Sequence, residues 1–145
     1  MKIHELGHIV LYVSNLTTSA DFYKNILGFE ELDRSPHTAL FSSGRTHHEL
    51  LLIEVGGSPE DKDFPKPGLY HIGFKIGNTD DELREAIKEL TKNNVTIVGS
   101  ANHHVTHSLY ILDPDNNELE LYIDVDEAWK HDKTLLMKRA EPLTL

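Results

Sequence analysis

The chain has 145 residues, 39% hydrophobic and 26% charged, with a formal net charge of −10 and no cysteine. That size suits one domain or two small modules sharing a core, and the composition is that of a globular chain. The missing cysteines exclude disulfides, thiolate metal sites and a cysteine nucleophile. The acidic balance argues against a nucleic-acid partner, and no apolar run approaches the roughly 20 residues of a membrane span.

The first residues, MKIHELGHIVLYV, carry histidine and glutamate and lack a small-residue cleavage site. No signal peptide is expected, and a cytoplasmic location is. Ile3–Val13 reads as a strand rich in β-branched residues. Asn15 or Thr17 can cap a helix whose apolar positions Leu16, Ala20, Tyr23 and Leu27 repeat at helical spacing, and Gly28 is a natural stop. Short strands are expected near Phe29–Leu32, Thr38–Ser42 and Glu49–Val55. The proline-punctuated stretch 56–68 reads as a loop, with Glu60, Asp61 and Asp63 solvated in it.

The order then recurs. Leu69–Ile76 is a strand, and Thr79 with Glu82 three residues on makes a capping box. Leu83, Ala86, Ile87 and Leu90 form a helical stripe ending at Asn93-Asn94. Strands follow at Thr96–Val98, Ser108–Leu112 and Leu119–Ile123, the last two joined by the tight turn Asp113-Pro114-Asp115-Asn116-Asn117. Strand, helix and three strands thus occur twice. His8-Ile9 and His71-Ile72 open the two copies at an offset of 63 residues. Residues 125–145 form a charged tail with Trp129 as its packing anchor. The arrangement expected is one domain over 1–145, with modules at about 1–57 and 68–124.

Ten histidines are more than solubility requires, and their special uses are metal ligation and proton transfer. Strand side chains alternate between two faces. Ile9, Leu11 and Val13 oppose His8, Val10 and Tyr12; Ile72, Phe74 and Ile76 oppose His71, Gly73 and Lys75; Leu119, Leu121 and Ile123 oppose Glu118, Glu120 and Tyr122. The uniformly apolar faces should pack under the helices. His8, His71 and Glu120 then fall on the opposite faces. Two imidazoles and one carboxylate are a known ligand set for a divalent metal with open positions. Each of the three alone is more readily a satisfied polar residue; an equivalent face on three strands and the internal repeat favour the metal.

These residues resemble the vicinal oxygen chelate superfamily, which includes glyoxalase I, bleomycin- and fosfomycin-resistance proteins and type I extradiol dioxygenases. The resemblance runs through His8, Asn25-Ile26-Leu27-Gly28-Phe29, Gly68-Leu69-Tyr70-His71-Ile72-Gly73-Phe74 and the segment Asp113 to Leu121. That last segment is similar to the family's DPxGNxxEL signature, with Asn116 in place of glycine. The resemblance implies an α+β fold of two βαβββ modules forming an open, cup-shaped mixed sheet with helices outside, and a metal bound by His8, His71 and Glu120.

Finer features resemble single-domain extradiol dioxygenases. His48, in His47-His48-Glu49-Leu50, corresponds to an acid/base histidine. His103 and Tyr110, in His103-His104-Val105-Thr106-His107-Ser108-Leu109-Tyr110, correspond to an HGxT…xY segment, with His104 as the competitor to His103. The tail from Tyr122 through Trp129 to Asp132 is similar as well. This likeness implies an Fe(II)-dependent dioxygenase of aromatic-compound catabolism, consuming a catechol-like small molecule and O2, and a homodimer. Mn, Ni or Zn are the other metals to consider. The competing activities are a glyoxalase I-type lyase, with Glu49 or Glu54 as a fourth ligand, a fosfomycin-modifying enzyme, with Lys75 and Arg45 as candidate cations, and a non-enzymatic binding module. His4, His37, His107 and His131 are expected to have no special role.

Overall fold

The structure, a computed structural model, describes residues 1–59 and 67–145. Glu60, Asp61 and Asp63 lie outside the described residues. Two compact units are present: Met1–Lys62 with Pro114–Asn116, and Asp63–Asp113 with Asn117–Leu145.

In the first unit β1 (Ile9–Val13) leads to α1 (Leu16–Asp21) and a π-helical turn over Phe22–Ile26, followed by β2 (Glu30–Arg34), β3 (Thr38–Ser42) and β4 (Leu50–Glu54). The sheet order is β1-β4-β3-β2, with β1 and β4 parallel. Asn15 caps α1 by accepting the Thr18 N–H at 2.9 Å. Gly28 takes a φ of 77°, a conformation open to glycine at no steric cost. Leu11, Val13, Phe41, Leu50 and Leu52 are buried with Leu16, Ala20 and Tyr23 of the helical segment. Each leucine, valine or phenylalanine among them is worth roughly 1.5–3 kcal/mol when fully buried. The expected strand from Ile3 is shortened: pairing starts only at Ile9↔Leu50, and Ile3 and Leu6 are exposed. β-Propensity without a partner strand leaves those residues unpaired.

The second unit repeats the plan with β5 (His71–Gly77), α2 (Asp80–Lys92), β6 (Ile97–Asn102), β7 (Thr106–Leu112) and β8 (Glu118–Asp124), in sheet order β5-β8-β7-β6. β5 and β8 are parallel, beginning His71↔Glu118 and Ile72↔Leu119. The repeat seen in the sequence is therefore a repeat of register, with Ile9↔Leu50 and Ile72↔Leu119 as equivalent pairs. Thr79 and Glu82 form the complete capping box. α2 packs on β5, β7 and β8, burying Leu83 and Leu90. Beneath it Ile72, Leu109, Ile111, Leu119, Leu121 and Ile123 are all buried, as strand alternation requires. β6 runs to Asn102, beyond the expected Val98, because its ladder to β7 continues through Gly-Ser-Ala despite their poor strand propensity.

The fold is thus mixed α+β, two four-stranded sheets each built as βαβββ. Among the described residues no helix is long and apolar enough to cross a membrane.

Candidate functional site

On the sheet face of the second unit away from α2, the register places Gly73 beside Glu120 and Tyr110 across from it on β7. Glu120 is the hub. Its Oε1 accepts from the Ser108 hydroxyl at 2.6 Å and from the Tyr110 hydroxyl at 3.4 Å. Its Oε2 lies 3.2 Å from Nε2 of His71. Two ligands bonded at about 2.1 Å and at right angles on one ion stand about 3 Å apart. The His71–Glu120 spacing fits that geometry, and imidazole nitrogen with carboxylate oxygen suits Fe, Mn, Ni or Zn. Gly73 keeps the approach to Glu120 open: a Cβ there would stand 3.5 Å from Oε2 and 3.6 Å from the Tyr122 ring.

His71 has a second carboxylate neighbour. Its Nδ1 is 3.5 Å from Oε1 of Glu118, and both atoms are buried with no hydrogen-bond partner among the described residues. The Glu118 charge, first among several causes, raises the pKa of the Tyr70 phenol.

Tyr110 joins the hub to His103, whose Nε2 is 2.8 Å from the Tyr110 hydroxyl. Burial first, and the Glu120 charge second, push the Tyr110 pKa up to about 12. The phenol therefore stays protonated and remains a donor across ordinary pH. His104 does something different. It turns with a φ of 69°, and its Nε2 sits 3.0 Å from the Arg139 carbonyl, holding the tail. Of the two histidines the geometry brings His103, not His104, to Tyr110.

His8 and His48 belong to the first unit. His8 immediately precedes β1 and His48 stands two residues before β4; the parallel pairing of these strands draws the two rings to 4.6 Å between centroids. His47 packs on both, and its Nδ1 is 2.6 Å from Nδ1 of His48. Desolvation, then the neighbouring His47 and His8, lower the His48 pKa below the usual imidazole range. Among the described residues no three His, Asp or Glu side chains are gathered into a metal-holding group.

Two carboxylates considered as a fourth ligand are otherwise engaged. Glu54 accepts the Leu16 N–H at 2.7 Å at the start of α1, and Glu49 accepts the Ser43 and Thr46 N–H groups at 2.8 and 3.0 Å. The two candidate cations are also paired. Lys75 is 2.6 Å from Asp124; Arg45 lies 3.3 Å from Glu5 and 3.5 Å from Glu49, and donates to the Gly7 carbonyl at 2.8 Å. Sequence reasoning missed Ser108, Glu118 and the His107–Asp80 pair, 2.6 Å between Nδ1 and Oδ1. Ser108 and Glu118 could have been found from the alternation that placed Glu120, since each shares a strand face with a named site residue. The His107–Asp80 pair joins a strand to a helix start 27 residues away, and nothing in the sequence signals it.

Two βαβββ units carrying this face define a class, and comparison with known proteins agrees. The family model of the glyoxalase/bleomycin resistance protein/dioxygenase superfamily matches residues 5–121, and the chain belongs to that superfamily. It is 30% identical over 136 residues to catechol-2,3-dioxygenase of Bacillus subtilis, covering 91% of this chain but 47% of that protein. The chain thus spans about half the length of that relative, and 63% of a biphenyl-2,3-diol 1,2-dioxygenase of Rhodococcus globerulus that is 29% identical. It is also 30% identical over 142 residues to the metallothiol transferase FosB of Staphylococcus haemolyticus, covering 97% of this chain and 95% of that one. Among solved structures, a glyoxalase/dioxygenase from Nostoc punctiforme superposes with a TM-score of 0.68 at 25% identity, covering 85% of this chain and 92% of that one. The fosfomycin resistance protein FosX from Listeria monocytogenes, solved with Mn(II), shares the fold with a TM-score of 0.71 at 23% identity, covering 92% and 99%.

Proposed function

We propose that this chain is an extradiol-type ring-cleaving dioxygenase acting on a catechol-like compound with O2, and that His8, His71 and Glu120 hold one divalent ion, Fe(II). The observation that carries this reading is the line from His71 through Glu120 to Tyr110 and His103, four expected site residues on one connected face. His8 is the third ligand, from this chain or from the second copy of a homodimer. The ion, when bound, supplies Lewis acidity that favours a phenolate and the redox chemistry O2 requires. Tyr110, held protonated, donates to a substrate oxygen beside Glu120. His103 holds the Tyr110 hydroxyl in that direction. His48, by resemblance, takes the proton of the second phenol and returns it later.

A second reading rests on the likeness to FosB, 30% identical over 142 residues. It assigns a metal-dependent thiol transfer to a phosphonate. The pairing of Lys75 with Asp124, and of Arg45 with Glu5 and Glu49, speaks for the first reading, since a phosphonate needs cations to meet it.

The test is oxygen uptake by protein purified anaerobically and loaded with Fe(II), against a panel of catechols. A parallel arm uses Mn(II)-loaded protein with fosfomycin and low-molecular-weight thiols. Stoichiometric oxygen consumption with a catechol is the expected result. Thiol adduct formation without oxygen uptake overturns the dioxygenase in favour of the second reading.

A further inference from the structure

The C-terminal tail, beyond the last strand, is tied down at both ends. The Val125 N–H donates to the Val105 carbonyl at 2.9 Å, where the tail leaves β8. Near its end Asn102 and Glu141 exchange two backbone hydrogen bonds of 2.9 Å each, beside the His104–Arg139 contact. The span between is a strap running from the end of β8 to the edge strand β6, and it carries two short 3-10 turns, Ala128–Lys130 and Lys133–Met137. Each turn supplies one apolar side chain, Trp129 and Leu136, to a cavity of about 300 Å³ within the second unit. Lys133 stacks over the Trp129 ring at 4.6 Å from its centroid, bracing the indole.

The same cavity is lined by Val105 and Tyr122, and it reaches Glu120. Its walls are thus apolar and aromatic, while one end holds the carboxylate at the hub of the site. Small-molecule sites have this build, an apolar lining with a few placed polar groups, and about 300 Å³ is the lower end of their usual size. The charge is one-sided: Glu120 and Asp124 line the cavity, no lysine or arginine does among the described residues, and Lys75 is already bonded to Asp124.

We propose that the strap builds the substrate-selecting wall, with Trp129 and Leu136 enclosing the apolar body of an uncharged o-diphenol whose oxygens lie toward Glu120. This rests on the dioxygenase reading for the diphenol and names the substrate class that reading leaves open. An aromatic ring with an alkyl substituent gains contact with Trp129, Leu136 and Val105. A ring carrying a carboxylate meets Asp124 in this wall with no free lysine or arginine to balance it among the described residues.

Trp129 is the one tryptophan of the chain, so its emission reports on this wall alone. The experiment titrates chelator-treated full-length protein with 4-methylcatechol and, separately, with 3,4-dihydroxybenzoate, following Trp129 fluorescence. Saturable quenching by 4-methylcatechol is expected, with at least tenfold weaker binding of the carboxylated analogue. Leu136→Asp, at a half-exposed position, should weaken 4-methylcatechol binding at least tenfold while leaving the far-UV circular dichroism and thermal midpoint unchanged. Non-saturable quenching, equal affinity for the two probes, or unchanged binding by a folded L136D protein overturns the proposal. Saturable, selective binding without any oxygen uptake by the iron-loaded protein upholds the wall and removes the dioxygenase. Oxygen uptake with a KM unaltered by Leu136→Asp does the reverse.

Discussion

The His103 imidazole meets the Tyr110 hydroxyl at 2.8 Å, and that hydroxyl is also within 3.4 Å of the Glu120 carboxylate. A phenol between an imidazole and a carboxylate has its direction set from both sides. In Tyr110→Phe the ring packing survives and only the donor is lost. Loss of one such donor costs about 10²-fold in kcat. Steady-state oxygen uptake, with KM changed less than kcat, checks this; an unaltered kcat takes Tyr110 out of the site.

Glu118 should act through His71. A metal-bound imidazole commonly donates its other N–H to a carboxylate, which fixes the tautomer and leaves the second nitrogen free for the ion. Nδ1 of His71 and Oε1 of Glu118 face each other at 3.5 Å, and neither has a hydrogen-bond partner among the described residues. Glu118→Ala is expected to weaken divalent-metal binding about 10–100-fold, and Glu118→Gln, which still accepts a hydrogen bond, by less. Competition with a chromogenic chelator measures both.

His48 lies against His8 in the first unit, 4.6 Å between ring centroids. If its task is proton transfer, His48→Ala should lower kcat on the order of 10²-fold or more while metal content stays near that of the wild type. Parallel loss of metal and turnover would make His48 a support for His8 instead.

The α2 capping box gives a stability prediction separate from the chemistry. Thr79→Ala should cost about 1 kcal/mol in urea unfolding. The N–H of Asn78, then the Thr79 side chain, bond the Glu82 carboxylate and hold its pKa below the ordinary 4.5. A carboxyl with a depressed folded-state pKa contributes stability above its unfolded value, and that contribution is lost as pH falls through the folded one. Stability should therefore drop as pH goes below about 4.5, and Glu82→Gln should flatten that part of the profile. Unfolding midpoints between pH 3 and 6 check the sign.

Much of this architecture was legible because it depends on local rules. Alternation in Leu119, Leu121 and Ile123 fixed which face of β8 is core, and with it the side on which Glu120 stands. Thr79 and Glu82 announced a helix start, and Asn116, with a φ of 61°, takes the left-handed turn that asparagine tolerates. What escaped depends on partners remote in sequence. β1 begins at Ile9 because β4 begins there, not because Ile3 is a poor strand residue. Alternation put Glu118 on the face of Glu120, but only the β5–β8 register sets it opposite His71. His107 looked inert until the fold brought Asp80 to 2.6 Å. The histidine pair 103–104 was divided by a single backbone feature, the positive φ at His104, which swings that ring to the tail.

Metal stoichiometry tests the central claim most directly. Full-length protein purified anaerobically, loaded with Fe(II) and desalted should carry one ion per chain by elemental analysis. His8→Ala, His71→Ala and Glu120→Ala, each folded by circular dichroism, should each carry less than a tenth of that. Full retention of iron in all three variants would contradict the assignment of His8, His71 and Glu120 as its ligands.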